Sequence, residues 1–306
     1  MERTLPFVSI IVPVYNGSAT VVRCVESLLA QDYPPDRREI IIVDNGSKDR
    51  TVELLQPYAQ SCKIRLLSET RVLNAYGARN TGAKSAKGEI LAFTDADCIA
   101  KGDWLSKLVK DYADENVGIF IGDIVDYQPK TVFERYHLHS LRVSDFERHG
   151  MRAGNCAIRR HCFESLGGFN SKLNSGADFE FFKRTVSQTR YTYRIALDAI
   201  VFHKNYDNVG SIFARGMRFG TSVDQFKGNP LLAERFISLK ANLRAILVNL
   251  LSLLARGLAY PVVLRKNSYK GRPITDVELF LGEPLIRLAE STGWLVGRTL
   301  KLKRFR

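Results

Sequence analysis

The feature that most constrains this chain is the alternation, over its first hundred residues, of short β-branched runs with longer helical stretches. Residues 8–12, 40–43, 64–67 and 90–94 read as four buried strands. Residues 18–31, the stretch from about residue 51, and the small-residue run 75–87 read as the helices between them, the first capped by Ser18 or Thr20. Strands this short, separated by helices, imply βαβ units and an α/β fold with a mainly parallel twisted sheet flanked by helices. Ligands bind such sheets outside the carboxyl ends of the strands. Three polar clusters fall there: Tyr15-Asn16, Asp44-Asn45 and Asp95-Ala96-Asp97.

The pattern loosens after residue 115. Residues 117–121 and 191–202 read as strands and 210–220 as a helix, with glycine-bearing loops at 152–158, 166–169 and 176–180. Beyond about residue 225 the composition turns apolar and basic. We therefore expect an α/β domain over 1–225, in halves of about 1–115 and 116–225, and a helical extension over 226–306. Of the net charge of +13, most sits in that extension: residues 231–306 carry 14 Lys/Arg against 5 Asp/Glu, the remainder 31 against 27. A charge so localised points to an anionic partner of the C-terminal segment.

Residues 243–264 would form a helix about 33 Å long, enough to cross a bilayer on length alone. Arg244, Asn249, Ser252 and Arg256 interrupt it, however, and Asn242, Asn249, Ser252 and Arg256 share one narrow face. An in-plane interfacial helix accounts for that pattern; packing on the α/β core or against a second copy is the competing reading. A second apolar stretch, 284–296, is followed by Arg298, Lys301, Lys303, Arg304 and Arg306, which favour an anionic lipid surface. Five cysteines, odd in number and without a CxxC pair, signal neither a zinc knuckle nor a disulfide framework, and fit a cytoplasmic setting. The expectation is a peripheral protein on the cytoplasmic face of the membrane.

Asp95 and Asp97 stand one residue apart where a buried strand breaks into a loop, so their carboxylates can converge on one hard divalent cation, Mn²⁺ or Mg²⁺. Such an ion, shared with phosphate oxygens, neutralises a departing diphosphate. Glycines 77 and 82 with Lys84 and Ser85 nearly spell a phosphate loop, but Ala83 intrudes and no strand directly precedes them. The first strand-to-helix turn holds Gly17 alone, so a dinucleotide fingerprint is absent, as is the glycine-rich N-terminal loop of a nucleotidyltransferase.

Taken in order, residues 8–16, 41–47 (ending Asp44-Asn45-Gly46-Ser47), 77–82 (Gly77-Ala78-Arg79-Asn80-Thr81-Gly82) and Asp95-Ala96-Asp97 resemble the signature of family 2 glycosyltransferases of the GT-A fold, over roughly residues 7–220. The resemblance implies inverting transfer from a nucleotide-diphosphate sugar, UDP- or GDP-linked, to a glycan or lipid-linked acceptor hydroxyl. Carried over by position, Pro13, Tyr15, Asn16 and Asp44 would line the nucleoside pocket and Arg79 would approach the base or diphosphate. Asp95 would face ribose and metal, and Asp97 would bind the metal. Many relatives carry a second acid at the position of Asn45.

Asp178, in the segment Gly176-Ala177-Asp178-Phe179-Glu180, aligns with the family's base, with Ala177 in place of the usual first acid and Glu180 as second candidate. The competing reading is that both acids decorate a helix N-terminus. His203, after the apolar run 199–202, is a further metal ligand by resemblance, or a strand-end histidine bonded to backbone. Asn155, Gly168, Phe169 and Glu180 are expected on the acceptor side; Trp104 and Phe169 offer either sugar-stacking faces or core. A nucleic-acid partner is not expected, because the tail lacks interleaved aromatics and its charge lies beside an apolar helix. The alternatives are an inactive sugar-nucleotide binder and a nucleic-acid binder acting through the basic tail, with a homodimer through the C-terminal helices as a further association.

Overall fold

The computed structural model describes residues 5–127, 150–203, 208–226, 239–270 and 274–300. Lys301, Lys303, Arg304 and Arg306, and the side chain of Arg256, lie outside them. The four N-terminal runs form strands β1 (Val8–Val14), β2 (Arg38–Asp44), β3 (Arg65–Ser68) and β4 (Ile90–Thr94). Every residue of β1 and β4 is buried, so these strands show a continuous apolar run rather than alternation, as a sheet covered on both faces requires. Helices α1 (Val21–Leu29), α2 (Thr51–Gln60) and α3 (Ala75–Ser85) supply the crossovers. Asn74 caps α3 by accepting from the Gly77 amide at 2.8 Å.

Further along come β5 (Cys98–Ala100), α4 (Trp104–Leu108), β6 (Val117–Asp126), β7 (Asn155–Arg159), α5 (Arg160–Ser165), α6 (Ala177–Gln188) and β8 (Thr192–His203). The sheet runs β3-β2-β1-β4-β7-β6-β8-β5. Pairings of β1 with β2 and β4, and of β2 with β3, are parallel, whereas β4–β7, β6–β7 and β5–β8 are antiparallel. The N-terminal half is thus the expected parallel sheet and the later half is antiparallel. Strand β7 falls within a segment whose glycines read as loop; it is fully buried up to Ile158 and closes the β4 edge.

Because chain order reverses around β1, the crevice at the carboxyl ends of β1 and β4 is the topological switch point, where open α/β sheets bind ligands. The described residues cluster into two units. The first holds β1 through β8, with an apolar core that includes Ile10, Val12, Leu28, Ile42, Ala92 and Trp104. The second holds α7 (Val209–Phe226), α8 (Leu239–Lys270) and α9 (Ile274–Leu300). In this grouping α7 belongs with the C-terminal helices. Within that unit Gly216 and Gly220 of α7 and Gly293 of α9 sit where a Cβ would strike the facing helix's backbone, so small residues set the close α7–α9 packing.

Candidate active site

Two loops at the carboxyl end of the sheet are bolted together. Asn16, at φ 49°, donates its amide to Ser47 Oγ (2.9 Å) and accepts from the Lys48 amide on Oδ1 (2.8 Å). Gly17 N–H donates to Thr51 Oγ1 (2.8 Å) and Ser18 N–H to Asp49 (3.1 Å). Pro13 lies buried in β1 opposite Val43, and Tyr15 is half-buried just beyond it. Asp44 ends β2 with its carboxylate accepting from the amides of Gly46 (3.1 Å) and Ser47 (3.2 Å). These bonds fix its orientation while leaving acceptor capacity on both oxygens.

Asn45 explains its own departure from the family pattern. Its amide nitrogen donates to the carbonyls of Glu69 (2.8 Å) and Val72 (3.0 Å). A carboxylate there would face two carbonyl oxygens with no proton to offer, so this β3–α3 loop requires an amide.

Asp95 and Asp97 leave β4 pointing away from the core, with Ala96 between them buried. Asp95 pairs with the Arg79 guanidinium, which α3 delivers from a site only 6% exposed. Arg79 Nε is buried and finds no acceptor among the described residues. Asp97 is 50% exposed and lies 3.2 Å from His203 Nε2. Register produces that contact, because β5 pairs with β8 so that Cys98 sits opposite His203. Burial lifts Asp95 above the usual carboxylate range, with Arg79 opposing and Asp97 adding to the rise. For Asp97 burial pushes upward too, but the His203 hydrogen bond and charge outweigh it and hold the acid below its ordinary value.

Asp178 sits in the first turn of α6, after Gly176, whose φ of 80° turns the chain into the helix. Its Oδ1 accepts from the Tyr76 hydroxyl (3.1 Å) and the Phe179 amide (2.9 Å), and its Oδ2 from the Ala153 amide (3.2 Å). The other residues expected around the acceptor play scaffold roles. Asn155 is buried and accepts from Trp104 Nε1 (2.8 Å) while donating to the carbonyls of Asp123 (2.7 Å) and Ala199 (2.9 Å). That leaves both Asn155 and Trp104 inside the core. Glu180 is buried in a two-point pair with Arg184 (2.8 and 2.9 Å), which also donates to the Leu166 and Gly168 carbonyls. Phe169 is buried among the rings of Tyr76, Phe93, Phe163 and Phe181 at 5.1–5.7 Å. Gly168 has φ +75°, and a Cβ there would meet Asn80 Oδ1 at 2.9 Å.

Sequence reasoning missed Tyr76 and the ties that fasten α3 to the segment leading into α6. Asn80 clamps Phe169 by donating to its carbonyl (2.8 Å) and accepting from its amide (3.0 Å), and Asn74 donates to the Ser171 carbonyl (2.8 Å). Only the Asn74 cap had a local signal, an asparagine just before a helix.

A parallel α/β half with paired carboxylates at its switch point, continued by an antiparallel half, is the architecture of the GT-A fold. The chain belongs to glycosyltransferase family 2 and is a glycosyltransferase: the model for "Glycosyl transferase family 2" matches residues 9–173. Glycosyltransferase AglE of Haloferax volcanii is 33% identical over 209 residues, covering 66% of this chain and 68% of that protein. Glycosyltransferase GlyG of Streptococcus pneumoniae is 33% identical over 121 residues, 39% of this chain and 40% of that protein. Among solved structures, mannosyltransferase PcManGT from Pyrobaculum calidifontis, in complex with GDP-Man and Mn²⁺, matches 95% of this chain and 87% of its own at TM-score 0.62 and 22% identity. S. aureus TarS 1–349 in complex with UDP matches 98% and 93% at TM-score 0.53 and 15% identity.

Proposed function

We propose that this glycosyltransferase moves a sugar from a UDP- or GDP-linked donor to a hydroxyl of a glycan or lipid-linked acceptor, with inversion. The observation that carries the reading is the placement of Asp95 and the exposed Asp97 at the β1/β4 switch point, beside the bolted loops that present Tyr15, Asn16 and Asp44. Pro13, Tyr15 and Asn16 would frame the nucleoside and Asp44 would accept from its base. Arg79, with its unused buried Nε–H, would reach a diphosphate oxygen.

The donor set fits a hard divalent cation. No three His, Cys, Asp or Glu side chains converge among the described residues. Mg²⁺ and its like take one or two carboxylates plus substrate phosphates rather than an all-protein cage, and Asp95 and Asp97 offer that pair. Asp97 and Asp95 would hold Mn²⁺ or Mg²⁺, with His203, 3.2 Å from Asp97, orienting that carboxylate, and the ion would supply Lewis-acid neutralisation of the departing diphosphate. Asp178 would take the acceptor's proton as its oxygen attacks the anomeric carbon and the sugar–diphosphate bond breaks. The PcManGT complex with GDP-Man and Mn²⁺ and the TarS complex with UDP support this choice of ligands by fold analogy. A panel of nucleotide sugars with Mn²⁺ or Mg²⁺ should raise the unfolding temperature for the true donor alone, and excess EDTA should remove that gain. If no nucleotide sugar stabilises the protein or is slowly hydrolysed, the reading fails.

The same protein is proposed to lie on an anionic cytoplasmic membrane surface through its second unit. Leu243, Leu247, Val248, Leu250, Leu251 and Leu254 on α8 are 41–66% exposed, while Asn242 is buried and Asn249 half-buried. This apolar-out, polar-in helix, with Lys240 and Arg244 exposed at one end, is what an interfacial helix needs. Among the described residues no helix is long and apolar enough to cross a membrane. The protein should float with vesicles containing phosphatidylserine or phosphatidylglycerol, and Leu247→Glu with Leu254→Glu should weaken that binding at least about tenfold. Failure to bind at low salt, with a dimer seen by light scattering instead, would assign the stripe to a second copy.

A further inference from the structure

One helix, α3, faces both carboxylate centres. Arg79 pairs with Asp95, and one turn earlier Tyr76 reaches Asp178 across 102 residues of sequence. The two α3 side chains also contact each other, the Arg79 guanidinium lying 5.4 Å from the centre of the Tyr76 ring. The Tyr76 ring is 8% exposed and packs on Phe169 at 5.7 Å, inside the ring cluster that joins α3, β4, α5 and α6. Asn74, the α3 cap, and Asn80 tie α3 to Ser171 and Phe169, just ahead of the turn at Gly176.

We infer that Tyr76 is a positioning residue for the reaction, its buried hydroxyl holding Oδ1 of Asp178 so that Oδ2 is turned to the acceptor. The inference rests on the reading of Asp178 as the base. Several features argue that the contact serves the site and not packing alone. The ring by itself would satisfy the aromatic cluster, so a phenylalanine would pack equally well; the hydroxyl adds only the bond to Asp178. Burial, and then the charge of Asp178, raise the phenol far above its ordinary range, so it remains a donor and does not compete for the acceptor's proton. With Tyr76 and the Phe179 amide both on Oδ1, the carboxylate has one held oxygen and one, Oδ2, carrying the Ala153 bond alone. A general base works only within hydrogen-bond reach of its proton, and small misplacements are costly.

Tyr76→Phe keeps the ring and removes the bond. The expected result is a fall in kcat of about tenfold or more, with the donor KM, the donor-induced thermal shift and the unfolding temperature little changed. The decisive reading is a double-mutant cycle: in an Asp178→Asn background, Tyr76→Phe should have almost no further effect on the residual rate. Wild-type kcat in Tyr76→Phe, alongside an inactive Asp178→Asn, overturns the inference and leaves the base intact. An undiminished second fall in the double variant also overturns it, marking Tyr76 as structural. Full turnover in Asp178→Asn would instead sink the base assignment. If Tyr76→Phe folds poorly, Tyr76→His, which restores a donor on a ring, should recover kcat more than Tyr76→Leu; equal rates would overturn the inference.

Discussion

Replacing Asp97 with alanine is expected to lower turnover about a thousandfold or more, roughly 4 kcal/mol of transition-state stabilisation, while leaving the fold nearly as stable. The two halves of that expectation have separate causes. Asp97 is half exposed, and its recorded side-chain contacts are His203 and, at 3.9 Å, the Cys98 thiol, both within one rim of the sheet. Removing it takes nothing from the core, so unfolding should shift by no more than a surface substitution does. It does remove the carboxylate with most freedom to meet a cation, and with it the means of holding the donor's diphosphate. Thermal shift by the donor with Mn²⁺ should vanish, and turnover should not recover at saturating donor. Retention of metal-dependent turnover would remove Asp97 from the metal site, and turnover indifferent to EDTA in the unmutated protein would end the metal reading.

Asp95→Ala is the less informative variant for a physical reason. It strands the Arg79 guanidinium, 6% exposed, without its carboxylate. An uncompensated buried charge costs a few kcal/mol, somewhat less here because Asp95 keeps solvent contact. A loss of activity there would mix chemistry with unfolding.

The parts of the fold legible in the sequence were those with local signals. Strands β1, β2 and β4 are short β-branched or apolar runs closed by polar residues, and the loops that follow announced Tyr15-Asn16, Asp44 and the Asp95/Asp97 pair. Strand β7 was not legible, because Asn155 and Cys156 follow a glycine-bearing turn and its burial comes from β4 and β6, far away in sequence. Helices α4 and α5 have five and six residues, too few to show a period. Motif position alone could not tell Asn155 or Glu180, polar and fully partnered inside the core, from polar residues facing a ligand. Tyr76 escaped for the opposite reason: nothing near it in sequence marks it, and its partner lies a domain's length away. His203 was placed at a strand end correctly, but only the β5–β8 register shows that it meets Asp97.

Asp178→Asn is the second large effect, and it should look different from Asp97→Ala. Loss of a general base lowers kcat by about 10²–10⁴. Donor binding should survive, because Asp178 sits in the first turn of α6 and its recorded bonds go to Tyr76, Phe179 and Ala153, none of them assigned to the nucleotide or the cation. Asparagine is the informative replacement. Its carbonyl oxygen can still accept from the Tyr76 hydroxyl and the Phe179 amide, so the buried phenol keeps a partner. Its NH₂ group then faces the Ala153 amide, donor against donor, at a local cost of about 1–3 kcal/mol. Alanine would in addition leave the Tyr76 hydroxyl unpaired. The expected signature is therefore a modest fall in unfolding temperature, an undiminished thermal shift with donor and Mn²⁺, and near-complete loss of transfer. Side by side, the two variants separate the donor's half of the site from the acceptor's: affinity and turnover fall together at position 97, turnover alone at 178. A chain that bound donor but transferred nothing even before mutation would be the sugar-nucleotide binder that Ala177, fully buried where the resemblance leads one to expect an acid, keeps as the rival.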